Sequence, residues 1–169
     1  MTHIYTGNGK GKTTAAIGIA IRAMGAGMKV LLVQFMKNYP YSELNLLSQF
    51  DELTLKRFCH DEWVFRKEPP DEGQLREAKE GLVFSMNEMC SGNYDMVILD
   101  EILVSIYFNL VNKDDVLNIM KKKPEKVELI LTGRYCPEDF YDSADLVTEM
   151  REVKHYYQKG IIARKGIES

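Results

Sequence analysis

Apolar residues fall in short continuous runs, separated by longer segments in which they recur every three or four positions. Lys29 to Phe35 and Asp95 to Glu101 contain the clearest such runs and His3 to Tyr5 is a short one, while Leu53 to Phe58 reads as a weaker strand and Val127 to Leu131 and Leu146 to Met150 as further strands. A run without polar alternation predicts a strand covered on both faces, as in a parallel sheet. Between the runs the spacing predicts helices. One spans Lys12 to Ala26, with Gly25 and Gly27 at its end, and its stretch Ala15 to Met24 is apolar on nearly every side, which predicts burial against the sheet, with alanines permitting close approach. A second spans Ser42 to Phe50 with Ser42 as its cap. A third starts at Asp71, carries Leu75, Ala78, Leu82, Met86 and Met89 on one stripe, and stops at Gly92. Ile102 to Leu110 and Lys113 to Lys122 read as two more, the latter ended by Pro124. A short helical turn covers Pro137 to Tyr141, and the tail from Lys154 is polar with isolated apolar residues. Strands alternating with helices mean right-handed crossovers and a mostly parallel sheet with helices on both faces. Ligands in such sheets bind at the carboxyl ends of the strands.

The first strand runs into Thr6-Gly7-Asn8-Gly9-Lys10-Gly11-Lys12-Thr13-Thr14, and the alanine-rich helix runs out of it. Strand, glycine-rich turn and helix with a Lys-Thr pair describe a phosphate-binding P-loop. Glycines let successive backbone N–H groups turn toward one anion, and the helix N-terminus adds its partial positive charge. Lys12 then places an ammonium on the outer phosphates, and the Thr13 hydroxyl ligates magnesium. Thr6 stands where the first glycine of G-x-x-x-x-G-K-[ST] would fall; Gly7 supplies the freedom one step later.

Composition narrows the class. The chain has 169 residues, 45% apolar and 28% charged, which fits one globular domain spanning residues 1–169. A net charge of −3 supplies no global basic field, so nucleic acid is not the expected partner and phosphate binding must be local. Three widely spaced cysteines (Cys59, Cys90, Cys136) make no disulfide framework and suggest a reducing interior. The first strand begins at once, leaving no room for a targeting peptide, and no apolar run is long enough to cross a bilayer. A cytoplasmic protein is expected.

Other residues qualify as candidates with different weight. Asp100 and Glu101, after four apolar residues, resemble the end of a Walker B strand. With Thr13 they would hold magnesium, although acidic residues at a strand end can also simply cap the next helix. Arg134, in Thr132-Gly133-Arg134, is poised to fork onto a phosphate or to be a surface arginine after a tight turn, about evenly. Cys59-His60-Asp61-Glu62 has metal-binding residue types but no zinc spacing, and a metal centre there is rejected. Phe58, Trp63 and Phe65 form the densest aromatic cluster, either loop anchors or an apolar wall for a planar ligand. His3 reads as structural, His155 as a surface residue, and Lys121 to Lys123 as a solvated helix end.

Together these motifs resemble the P-loop type of ATP:corrinoid adenosyltransferase. The resemblance is carried by Tyr5 to Ala16, Val33 to Lys37, Val97 to Glu101, Leu131 to Arg134, Ala144-Asp145 with Thr148 to Met150, Val153 to His155 and Gly160 to Glu168. It runs in order along nearly the whole chain, and Thr6 in the glycine position is part of it. The resemblance implies a RecA-like three-layer α/β fold acting as a homodimer, with a flavoprotein as electron donor. It implies ATP held by Thr6 to Thr14 in reversed orientation, its ribose C5′ open to a corrinoid reduced to Co(I). Lys12 and Arg134, with magnesium or manganese at Thr13, Asp100 and Glu101, would stabilise the triphosphate leaving group. No general base is needed, because cobalt carries the nucleophilicity. By the resemblance, relatives follow the third strand with a phenylalanine and a tryptophan separated by one residue, which expel the lower cobalt ligand. Here Cys59 and His60 follow Phe58, so Phe58, Trp63 and Phe65 are corrinoid candidates by location. The segment that precedes the first strand in some relatives is absent.

Three other chemistries suit the same motifs. A P-loop ATPase would use Glu101 to orient water. A small-molecule kinase would need an arginine-rich lid, and only Arg57 and Arg66 lie near the middle loop. A regulator would bind ATP and convert nothing.

Overall fold

A computed structural model describes residues 1–37, 40–58 and 69–168. Six strands form one sheet: β1 (Thr2–Thr6), β2 (Val30–Phe35), β3 (Leu53–Phe58), β4 (Met96–Asp100), β5 (Glu128–Thr132) and β6 (Leu146–Glu149). Their spatial order is β3-β2-β4-β5-β1-β6, and every neighbouring pair is parallel. The helices are α1 (Lys12–Gly25), α2 (Ser42–Leu47), α3 (Glu72–Cys90), α4 (Ile102–Tyr107) and α5 (Lys113–Lys122). Two 3₁₀ turns, Glu138–Ser143 and Tyr156–Lys159, complete the described elements.

The strand period of two divides the core between the faces. Leu31, Val33 and Phe35 of β2, Val97 and Leu99 of β4, and Leu129 and Leu131 of β5 meet α3, α4 and α5. Val30, Leu32, Met96, Ile98 and Ile130 meet α1 and α2. The sandwich of helices around a parallel sheet is the three-layer α/β fold that the alternation of runs predicts.

α1 lies across β1, β5, β4 and β2. It buries the stripe Ala16, Ala20, Ala23 and Met24, while Ile21 is 47% exposed. The helix thus packs on the sheet as expected: the alanines let it settle close, and Ile17 and Ile19 lie partly buried against the same core. On the other side α3 begins with a reciprocal box between Asp71 and Gln74. Its stripe reaches the core at Ala78, Leu82 and Met89, but Leu75 remains 39% exposed, one turn too early to reach the sheet.

Two other boundaries shift. Tyr41, not Ser42, holds the N-cap position of α2, and no side-chain cap bond forms there. α4 stops at Tyr107 rather than Leu110, because Asn109 turns left-handed (φ 58°) and the N–H groups of Leu110 and Val111 fold back onto the carbonyl of Ser105. Among the described residues no helix is long and apolar enough to cross a membrane.

Candidate active site

The loop after β1 is fixed from outside. Gly7 and Gly11 adopt φ of 97° and 114°, and a Cβ at either Gly7 or Gly9 would come within 2.6 Å of the Met150 carbonyl oxygen. The Gly9 N–H donates to that oxygen (2.6 Å), and the Met150 N–H donates to the Thr6 carbonyl (2.8 Å). The loop is thus stitched to the end of β6. Thr6 is buried at the strand end, and Asn8 is exposed at the loop. From inside, Lys12 Nζ donates to the carbonyls of Gly7 and Gly9, both at 2.8 Å. Burial lowers the Lys12 pKa, and the Arg134 and Lys37 charges add to the effect against the pull of Glu101 and Asp100. Gly11 caps α1 without a side-chain bond, and the first helical turn closes from the Ala15 N–H to the Gly11 carbonyl. The N–H groups of Lys12, Thr13 and Thr14 precede it and have no helical acceptor, as an anion site requires.

The ends of β2, β4 and β5 bring a second group together. Thr13 Oγ1 donates to Asp100 Oδ1 (2.9 Å), as does Thr132 Oγ1 (2.6 Å). Lys37 Nζ donates to Asp100 Oδ2 (2.7 Å) and to Thr13 Oγ1 (2.8 Å), and stands 4.0 Å from Glu101 Oε1. Gln34 Nε2 also reaches Asp100 Oδ2 (3.1 Å). Burial works to raise the Asp100 pKa, but the Lys37 charge and the hydrogen bonds from Lys37, Thr132 and Thr13 hold it below the ordinary value. Burial also opposes the Lys37 charge, and Asp100 and Glu101 more than reverse it, so its pKa is raised. Glu101 moves the other way: burial, reinforced by the Asp100 charge, raises its pKa despite Lys37. Glu101 is left-handed (φ 62°), with its N–H held by Thr132 Oγ1 (2.9 Å). That turn carries its side chain away from the strand line and into the cleft.

The cleft over the P-loop encloses about 670 Å³. Lys10, Lys12, Thr13, Thr14, Glu101 and Arg134 line it, which brings most of the residues singled out from sequence to one place. Arg134 is exposed and follows Gly133, whose backbone (φ 142°) leaves no room for a Cβ beside Leu103. Lys37, Tyr41 and His155 also line the cleft and were not expected there. The signal for Lys37 was its place as the first charged residue after the buried β2 run; His155 gave none locally.

The tail closes one side of the cleft. Lys10 Nζ bonds Glu168 Oε1 (2.8 Å), the Ile167 carbonyl (2.9 Å) and the Tyr156 hydroxyl (3.0 Å). Arg164 reaches both Glu168 oxygens (3.1 and 3.2 Å), and the Tyr156 hydroxyl donates to Glu168 Oε1. Lys10 therefore directs its ammonium to the tail, while its backbone stays in the loop.

Phe58 is partly buried between Phe35 (6.3 Å between centroids) and Phe84 (5.7 Å), over Gly81, where a Cβ would sit 2.8 Å from the Phe58 ring. It is not among the residues lining the nucleotide cleft. Trp63 and Phe65, and the Cys59-to-Glu62 segment, lie outside the described residues. Among the described residues no group of three or more His, Cys, Asp or Glu side chains is arranged to hold a metal by itself.

A P-loop at the carboxyl edge of an all-parallel sheet, with an Asp-Glu pair opposite, defines a phosphate-binding α/β protein. The fold is shared with the flagellar accessory protein FlaH of Methanocaldococcus jannaschii, at a TM-score of 0.59 and 18% identity over 88% of this chain and 69% of that one. The family model for ATP:corrinoid adenosyltransferase BtuR/CobO/CobP matches residues 1–169. The corrinoid adenosyltransferase of Escherichia coli (strain K12) is 35% identical over 98% of this chain and 83% of its own length. The corrinoid adenosyltransferase CobA of Salmonella typhimurium is 35% identical with the same coverage, and that of Pseudomonas aeruginosa 31%, over 98% and 81%. The chain belongs to the ATP:corrinoid adenosyltransferase family.

Proposed function

We propose that the chain, acting as one nucleotide-binding unit over residues 1–169, transfers the 5′-deoxyadenosyl group of ATP to the Co(I) of a reduced corrinoid. The cobalt electron pair forms the Co–C5′ bond, the C5′–O bond breaks, and inorganic triphosphate leaves with that bond's electrons. The observation that carries this reading is the P-loop with Lys12, Thr13 and Glu101 facing one cleft in a chain matched by the family model along its whole length.

The amides at the start of α1, Lys12 and Arg134 bind the triphosphate and neutralise the charge it gains as it leaves. Lys12, already turned into the loop, exchanges the Gly7 and Gly9 carbonyls for phosphate oxygens. Thr13, Asp100 and Glu101 frame a place for Mg²⁺ or Mn²⁺, and a hydroxyl with carboxylates is the hard-oxygen set such ions take. The ion would add further charge neutralisation at the triphosphate. Trp63 and Phe65 are offered as corrinoid contacts together with Phe58, which packs at the end of β3. A cytoplasmic homodimer served by a flavoprotein reductant completes the reading, in keeping with the family resemblance. ATPase and kinase chemistry are alternatives that the family membership does not favour.

The test is an anaerobic incubation in the dark with magnesium, ATP and chemically reduced cob(I)alamin. The expected result is a light-sensitive alkylcobalamin spectrum with one triphosphate per product. Phosphate release without an alkylcobalt product would reject the transferase reading in favour of a hydrolase.

A further inference from the structure

The side chain of Asp100 is fully buried, and both its oxygens are taken. Oδ1 accepts from Thr13 and Thr132, and Oδ2 from Lys37 and Gln34. A carboxylate has about four lone-pair directions, and here protein donors fill all of them. Glu101 differs: its side chain is 24% exposed, and among the described residues its carboxylate accepts no hydrogen bond, Lys37 Nζ standing 4.0 Å away. A metal ion reaching Asp100 would have to displace Lys37 or Gln34 from Oδ2, or the Thr13 or Thr132 hydroxyl from Oδ1, and stranding the Lys37 charge is strongly unfavourable.

We infer that Lys37 is a positioning residue that holds Asp100 off the metal, leaving Thr13 and Glu101 as the direct protein ligands. This deepens, and rests on, the reading that a metal–nucleotide complex sits at the P-loop. Asp100 and Lys37 together fix the Thr13 hydroxyl. Its proton points to Asp100 Oδ1, one lone pair accepts from Lys37, and one lone pair is left for the ion. The Lys37 charge also offsets that of Asp100, so the triphosphate meets less repulsion, and Glu101, at 4.0 Å from Lys37 Nζ, is the carboxylate whose oxygens stay open to an ion. Lys37 can do this because Met36 turns left-handed (φ 58°) directly after β2, bending the chain at the strand end.

The experiment uses Mn²⁺ as the probe, titrated with ATP and no corrinoid, with bound ion read by electron paramagnetic resonance. In the Lys37→Met/Asp100→Asn double variant both charges go together, and the asparagine oxygen still accepts from Thr13 and Thr132. Its ATP-dependent Mn²⁺ affinity is expected to stay within about threefold of wild type, as replacing a whole buried pair is often near neutral. Glu101→Gln is expected to weaken it by about tenfold or more, having removed a ligand. Lys37→Met alone frees Asp100 to join the ligand set, so it is expected to bind Mn²⁺ more tightly than wild type while turning over more slowly, an outcome a merely structural lysine would not give. If the double variant loses as much affinity as Glu101→Gln, Asp100 is a ligand and the inference is overturned. If wild type shows no ATP-dependent Mn²⁺ binding, the metal–nucleotide reading beneath it falls instead.

Discussion

Gly9 donates its backbone N–H to the carbonyl oxygen of Met150 across 2.6 Å, tying the phosphate loop to the end of the edge strand β6. A methyl group at Gly9 would meet that same oxygen at 2.6 Å. Gly9→Ala is therefore expected to cost about 1–3 kcal/mol in urea unfolding, by forcing the loop and the strand end apart. Calorimetry should find ATP affinity reduced as well. A stable Gly9→Ala protein with wild-type ATP affinity would show that the loop does not depend on this docking.

Lys12 bonds two loop carbonyls in the structure and faces the cleft. Lys12→Ala should lower turnover by about a hundredfold or more, the scale seen when one preorganised charge donor is removed. Circular dichroism should remain that of the wild type. Unchanged turnover would reject the phosphate role of this loop.

Glu168 ties the tail to Lys10, Arg164 and Tyr156. Glu168→Gln should raise the KM for ATP several-fold and change the melting temperature little, because its partners Lys10 and Arg164 are 39% and 51% exposed and such half-solvated pairs contribute modestly to stability. Hydrogen bonds from Arg164, then Lys10 and Tyr156, hold the carboxyl well below the ordinary value of 4.5. A lowered carboxyl pKa gives stabilisation that is complete above the free value and lost as pH falls through the lowered one. The tail should therefore stay seated from neutral pH down past 4.5. The carboxyl carbon shift of Glu168, followed by NMR, checks this: titration at the ordinary glutamate value would mean that the tail is undocked in solution.

Burial pushes the Cys136 thiol up to about 12, whereas Cys90 lies exposed at the end of α3. At mildly alkaline pH the thiolate is the reacting form, so iodoacetamide should label Cys90 well before Cys136. Peptide mass spectrometry at short times reads the order, and equal labelling would contradict the burial of Cys136.

Much of the framework was legible because the central parallel strands β2, β4 and β5 are written as nearly unbroken apolar runs, and the flanking ones carry weaker versions of the same signal. Leu53–Phe58 and Lys113–Lys122 form elements with the very bounds their patterns suggest, and the P-loop lies where its glycines place it. The errors have local causes. For Ala15 to Met24 the burial against the sheet was legible, but composition does not say which stripe of the helix meets it. Ser42 has the chemistry of a cap, but Tyr41 takes the position. Lys37 and His155 were missed as cleft residues for a different reason. Where a side chain points after a strand depends on a left-handed turn such as that at Met36, and contacts such as Lys10 with Glu168 join residues far apart in the chain. Phe58 illustrates the converse: its place in an aromatic cluster was plain, but its packing on Phe35 and Phe84 was set by Gly81 on a helix.

The pairing of β1 has a bearing on how the protein is made. Among the described residues its sheet neighbours are β5 and β6, so the strand that carries the phosphate loop meets these partners only once residues 128–149 have left the ribosome. Closing so long a loop is entropically slow, and the three other strands, β2, β3 and β4, offer no earlier substitute. The nucleotide cleft then forms late, after β2, β3 and β4 have been able to pair among themselves. ATP binding during synthesis or refolding becomes a reporter of the finished molecule, and a nucleotide would act on the last step of maturation rather than on the first.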